Sequence, residues 1–283
     1  MEYKVLSNGI KMPKVGFGVF QVDDLKLCEQ AVLDALEVGY RHIDTAATYL
    51  NETAVGSAIK ASGIKREELF IVTKLWVQDH GYDNTKLAFE KSLKKLGLDY
   101  LDMYLIHKPY GDYYGAWRAM EDLYKEGVIK AIGVTSFWNE RLQDLFLHNE
   151  IKPMVNQIET NVWYQQKEAE TFLRKEGIAH EAWAPFAEGN NDIFNNPILK
   201  EIADKYNKTT GQVMLRWLLQ RDVSVIPKSV HKDRMKQNFD VFDFELSNED
   251  MNLISTLDTG KSTIYDEQNL DTARWIGTVK YDL

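Results

Sequence analysis

The chain has 283 residues, 44% hydrophobic and 27% charged, the make-up of an ordinary globular protein with enough length to bury a sizeable core. Its formal net charge of −9 argues against nucleic acid or an anionic membrane as the main partner. A single cysteine, Cys28, excludes an intrachain disulfide and fits a reducing compartment. The opening run "MEYKVLSNGIKMP" lacks the apolar segment of a leader, and no apolar stretch reaches membrane-spanning length, so a cytoplasmic protein is expected. No heptad or long apolar stripe marks an oligomer seam, which favours a monomer.

The first element in chain order is a hairpin within "YKVLSNGIKMPKV", turning at Asn8-Gly9, the dipeptide whose backbone best fits a two-residue turn. From there short apolar runs alternate with helix-patterned segments. The runs are "KVGFG", "YRHIDTA", "LFIVTKLW", "YLDMYLIHKP", "IKAIGVTSF", "MVNQIET", "IAHEAWAPF" and "VSVIPKS". The first helix, over Asp24–Val38, sets Leu25, Cys28, Ala31, Val32, Ala35 and Leu36 at three- and four-residue spacing, and Gly39 stops it. Cys28 thereby falls on a core-facing stripe rather than in a reactive position. Further helices are read over Ala88–Leu96, Ala116–Lys125, Glu140–His148, Gln166–Lys175 and Thr210–Leu219. Eight buried strands, each followed by a helix, predict a (β/α)₈ TIM barrel with the hairpin capping its floor, and residues 1–283 as one domain. An open doubly wound sheet fits less well, because "GFGVFQ" lacks the third glycine of the dinucleotide fingerprint.

Barrel chemistry sits at the C-terminal ends of strands. Those ends carry Asp44 and Tyr49 in "RHIDTAATY", Lys74 in "LFIVTK" and His107 in "MYLIH". Each has a bland reading: Asp44 as a helix cap, Tyr49 as packing, Lys74 as a loop residue, His107 as a core group. Their presence at three successive strand ends favours a cluster, since burying Lys74 and Asp44 is tolerable only as a pair.

The motifs "DTAATY", "IVTKLW", "LIHKP", "IGVTSF", "NQIE" and "IPKS" with a following Arg and Asn resemble the aldo-keto reductase superfamily across nearly the whole chain. The resemblance is strongest to its microbial diketogluconate, glyoxal and methylglyoxal reductases. It implies reduction of aldehydes and ketones with NADPH and without a metal. Under it Asp44, Tyr49, Lys74 and His107 form the catalytic tetrad. Tyr49 is the proton donor; an unperturbed phenol has a pKa of about 10, so a cation is needed to favour its ionised form. Lys74 is that cation, Asp44 its anchor, and neutral His107 orients the carbonyl.

The same resemblance assigns the cofactor to Thr135, Ser136, Gln157, Trp183, Lys228, Ser229, Val230, Arg234 and Asn238. Lys228 and Arg234 are to grip the 2′-phosphate, Trp183 to stack on the nicotinamide, and Gln157 to bond its carboxamide. Thr135-Ser136 stand where relatives more often carry Ser-Asn, and Ala184 where a serine is usual. It assigns the substrate pocket to Phe20, Trp76, His107 and Lys108, the last replacing a frequent tryptophan. Lys108 is read either as favouring an acidic or polyhydroxylated substrate or as pointing to solvent. The loop "YGDYYGAW" is short enough for an open pocket, and the run "YDEQNLDTARWIG", with Arg274 and Trp275, is expected over the site. Two other readings remain: a barrel lyase using Lys74 as a Schiff base, and a slow, cofactor-sensing binding protein on the same fold.

Overall fold

The structure, a computed structural model, describes residues 1–266 and 269–283. Two strands, β1 (Tyr3–Val5) and β2 (Lys11–Pro13), pair antiparallel. Eight more follow: β3 (Phe17–Gly18), β4 (His42–Asp44), β5 (Phe70–Leu75), β6 (Met103–Ile106), β7 (Ile132–Thr135), β8 (Val155–Glu159), β9 (Ala179–Trp183) and β10 (Ser224–Val225). These eight are parallel neighbours in chain order. A parallel bridge from Val15 to Val225, with Gly16 N–H donating to Val225 O at 2.8 Å, closes the ring. This is the (β/α)₈ barrel that the alternating apolar runs predict.

Eleven helices lie among the described residues: α1 (Leu25–Val38), α2 (Glu52–Ser62), α3 (Tyr82–Leu96), α4 (Tyr113–Lys125), α5 (Asn139–His148), α6 (Lys167–Glu176), α7 (Pro197–Tyr206), α8 (Thr210–Gln220), α9 (Lys232–Phe239), α10 (Asn248–Ser255) and α11 (Leu270–Thr278). None of them is long and apolar enough to cross a membrane. Asp24 caps α1 by accepting from Leu27 N–H, and Cys28, Ala31, Val32, Ala35 and Leu36 are buried as their spacing requires. Leu25 departs from that stripe and is exposed. Helix side chains lean toward the N-terminus, so a first-turn residue projects beyond the element it packs on. Burial lifts the Cys28 thiol pKa to about 11, in keeping with an inert core cysteine. Helix α3 starts six residues before its apolar stripe, because its first turn is largely polar. Helix α2 was not legible as a stripe. Its small residues serve close packing: a Cβ on Gly56 would lie 2.4 Å from the carbonyl of Leu96.

The hairpin closes the lower end. Asn8 donates to the carbonyl of Lys130, just before β7, and Lys4 and Lys14 both pair with Asp222, just before β10. Met12 is fully buried beneath the strands, and Pro13 O meets His42 Nδ1 at 3.2 Å. The opposite rim, where the strands end, is left for chemistry.

Candidate active site

Asp44 closes β4, and the backbone then makes one 3₁₀ turn, Ala47–Tyr49, before Leu50 takes φ +55°. Asn51, fully buried, holds this bend. It accepts from the Thr45 hydroxyl at 2.8 Å and donates to Val19 O at 2.9 Å and Val22 O at 3.3 Å, tying the bend to the loop that bears Phe20. One residue on, buried Glu52 accepts from the Thr73 hydroxyl at 2.7 Å, which joins the bend to β5 beside Lys74. Sequence reasoning passed over both residues; their only signal was adjacency to Tyr49.

Lys74 Nζ donates to Asp44 Oδ1 at 2.5 Å, to Thr45 O at 2.9 Å and to the Tyr49 hydroxyl at 3.4 Å. Asp44 is therefore no helix cap: Asn51 occupies the N-cap of α2, and the carboxylate serves the lysine. The other Asp44 oxygen accepts from Gln157 Nε2 at 3.0 Å, and the same nitrogen donates to Glu181 Oε2 at 2.8 Å. Glu181 is a second buried carboxylate that no motif announced. His107 stands edge-on to Tyr49, with ring centres 5.7 Å apart, and its Nδ1 lies 3.5 Å from the Thr48 hydroxyl. The four strand-end groups thus converge on one place.

Their protonation follows from burial first. Burial lifts the Tyr49 pKa, Lys74 pulls it down and Asp44 pushes it up, leaving it above the ordinary phenol value. Desolvation thus outweighs the pull of the lysine, although Tyr49 is only partly buried and faces the cavity. Burial opposes the Lys74 charge, but the adjoining Asp44 outweighs it, and the ammonium is held more firmly than usual. Burial, then Lys74, Lys108 and His80, keep His107 well below the ordinary histidine range, so its ring is neutral near pH 7. The arrangement is a protonated acid beside a fixed cation and a neutral imidazole.

Asp44, Tyr49 and His107 line a cavity of about 740 Å³, with Lys74 enclosed behind them. Phe20 tilts against Tyr49 at 5.0 Å, and Trp76 stands edge-on to His107 at 5.2 Å, so both form apolar walls. Of the cofactor-directed residues, Thr135, Gln157, Trp183, Lys228 and Arg234 line the same cavity. Lys228 and Arg234 are exposed, and among the described residues neither makes an ion pair, which suits a phosphate-binding end. Ser229, Val230, Asn238 and Ser136 do not reach the lining. The Ser229 hydroxyl accepts from His231 N–H at the start of α9, Val230 packs on the core, and Asn238 is buried. Ser136 lies behind Lys108, whose Nζ donates to its Oγ at 2.9 Å.

Lys108 is buried rather than directed to solvent, and it also donates to the Tyr265 hydroxyl at 2.8 Å. Residues of "YGDYYGAW" stay out of the lining, with Tyr113 onward committed to α4. The C-terminal run does cover the site: Tyr265, Thr272, Trp275 and Ile276 line the cavity, while exposed Arg274 pairs with Asp271. Residues 267 and 268 of that run lie outside the described residues. Beyond it, Tyr281 exchanges two backbone hydrogen bonds with the Gln78 side chain and packs edge-on against Trp76.

Residues 14–259 match the profile of the Aldo/keto reductase family. A glyoxal reductase of Bacillus subtilis (strain 168) is 51% identical over 253 residues, covering 89% of this chain and 91% of that protein. The methylglyoxal reductase DkgA of Escherichia coli (strain K12) is 44% identical over 259 residues, 90% and 93% of the two chains. Among solved structures, a Bombyx mori aldo-keto reductase in complex with NADP superimposes with a TM-score of 0.89 at 37% identity, over 94% of this chain and 95% of that one.

Proposed function

The chain belongs to the Aldo/keto reductase family, and from that premise we propose that it reduces aldehydes and ketones to alcohols with NADPH. The observation that carries this reading is the Tyr49 hydroxyl beside an Asp44-anchored Lys74, in a cavity walled by neutral His107. NADPH, when bound, supplies the hydride to the carbonyl carbon. The oxygen gains negative charge as this happens, and Tyr49 gives it a proton. Lys74 lowers the cost of the resulting phenolate, and Asp44 keeps the ammonium aimed. His107, unable to carry a charge of its own, donates a ring N–H to the same oxygen and sets its direction. Phe20 and Trp76 hold the substrate body between aromatic faces.

The residues present fit the cofactor. Lys228 and Arg234 offer uncommitted cations for the 2′-phosphate. Trp183 offers a ring face, and Gln157, whose amide nitrogen is committed to two carboxylates, offers its carbonyl to the carboxamide N–H. The Schiff-base reading fares worse, because Lys74 is held as a charged, triply hydrogen-bonded ammonium and lacks the free amine such chemistry needs.

Purified protein is expected to oxidise NADPH only when a carbonyl compound is present. Relatives named for glyoxal and methylglyoxal put these dicarbonyls first in the screen, ahead of aromatic aldehydes, keto-esters and keto-sugars. No turnover with any of them would count for the cofactor-sensing alternative. Hydrogen bonds to charged groups are worth about 1.5–3 kcal/mol each. Replacing Lys228 and Arg234 together by glycine is therefore expected to raise KM for NADPH about a hundredfold. KM for NADH should move by less than about twofold; equal effects on the two would defeat the phosphate role.

A further inference from the structure

Lys108 stands at an unusual corner. Its side chain is buried, and its ammonium donates to Ser136 Oγ at 2.9 Å and to the Tyr265 hydroxyl at 2.8 Å. It lies 5.5 Å from the centre of the Trp183 ring. Lys108, Thr135, Gln157 and Trp183 all line the cavity, whereas Ser136 does not reach it. The lysine thus projects a donor past a side chain too short to do so itself.

Tyr265 shows what kind of group this corner accepts. Its ring lies within 22° of parallel to Trp183, with centres 6.2 Å apart, and its oxygen rests on Lys108. The occupant is a flat ring carrying an oxygen, brought in from 157 residues away. A nicotinamide has the same two features: an aromatic ring and an exocyclic carboxamide oxygen. The polar groups there also match the whole carboxamide: an ammonium donates to its oxygen, and the Gln157 side-chain carbonyl accepts from its N–H₂.

We propose that Lys108 is a cofactor-binding residue rather than a substrate anchor. Its ammonium, braced by Ser136, donates to the nicotinamide carboxamide oxygen in the acceptor place that the Tyr265 hydroxyl now holds. The pair Lys108–Ser136 thereby does jointly what one longer amide side chain at position 136 would do alone. This inference rests on the NADPH reading of the cavity.

The test is a binding measurement, followed by quenching of tryptophan fluorescence, with NADPH and with 2′-phospho-ADP-ribose, which keeps the phosphate end and lacks the nicotinamide. Lys108→Met is expected to weaken NADPH binding about ten- to a hundredfold, the worth of one charge-assisted hydrogen bond. It should leave the fragment within about twofold. Adding Ser136→Asn to Lys108→Met is expected to restore most of the lost NADPH affinity, because an asparagine amide supplies the missing donor. Should Lys108→Met fail to fold, Lys108→Gln, with a neutral donor of similar reach, is expected to show a smaller loss of the same selectivity. Unchanged NADPH affinity in the folded variant, equal losses for both ligands, or no rescue by Ser136→Asn would each overturn the proposal. Failure of the unaltered protein to bind NADPH would instead overturn the reading beneath it.

Discussion

Tyr49→Phe is expected to cut kcat for carbonyl reduction by about 10²–10⁴ while leaving the Kd for NADPH within about twofold. The reasoning is geometric. Phenylalanine keeps the ring that packs on Phe20 and stands edge-on to His107, so the cavity wall survives. What goes is one hydroxyl, the group 3.4 Å from the Lys74 ammonium. In the free protein burial holds that phenol protonated, more firmly than in water. It is therefore a store of one proton, released only when a strongly basic oxygen develops beside it. The neighbouring cation makes release feasible by stabilising the phenolate formed. Single-turnover kinetics with pre-bound NADPH measures the loss on the chemical step itself. Near-normal turnover would remove Tyr49 from the role, and a parallel collapse of cofactor affinity would point to damage of the wall.

Lys74→Met is the second large effect, and it separates stability from chemistry. Lys74 and Asp44 are both buried, and removing one partner leaves the other charge in a poor solvent. Breaking such a pair costs about 3–5 kcal/mol, whereas removing both can be close to neutral. The lysine also satisfies the Thr45 carbonyl, which loses that donor in the same variant. Urea unfolding is expected to show a loss of that size for Lys74→Met and recovery of most of it in Lys74→Met with Asp44→Asn. Activity should behave differently: neither variant should turn over appreciably, since both lack the cation that steadies the phenolate. A double variant that regained activity would show that the ion pair supports the fold alone.

Much of this was legible from local patterns. The eight apolar runs marked the strands because parallel strands covered on both sides carry no polar alternation. The Asp24–Val38 stripe marked α1 because helical spacing repeats within a few residues. The four strand-end groups were legible as types at positions, since a barrel rim gathers strand ends wherever the loops run. Helix α2 and the first turn of α3 escaped, because small or polar residues in contact leave no apolar stripe. Asn51, Glu52 and Glu181 escaped for a different reason. Each gains its role only from a partner brought close by folding: Val19 O, the Thr73 hydroxyl and the Gln157 amide.

The sequence by itself determined the barrel, the hairpin beneath it and which side chains stand at the rim, since these depend on periodicities repeated over a few residues. Only the tertiary structure decided the direction of the Tyr49 pKa, the commitment of Asp44 to Lys74 rather than to a helix end, and the seat of Lys108 between Ser136 and Tyr265. Desolvation and hydrogen bonding depend on what surrounds an atom in space, and those surroundings include residues 25 to 157 positions away in the chain.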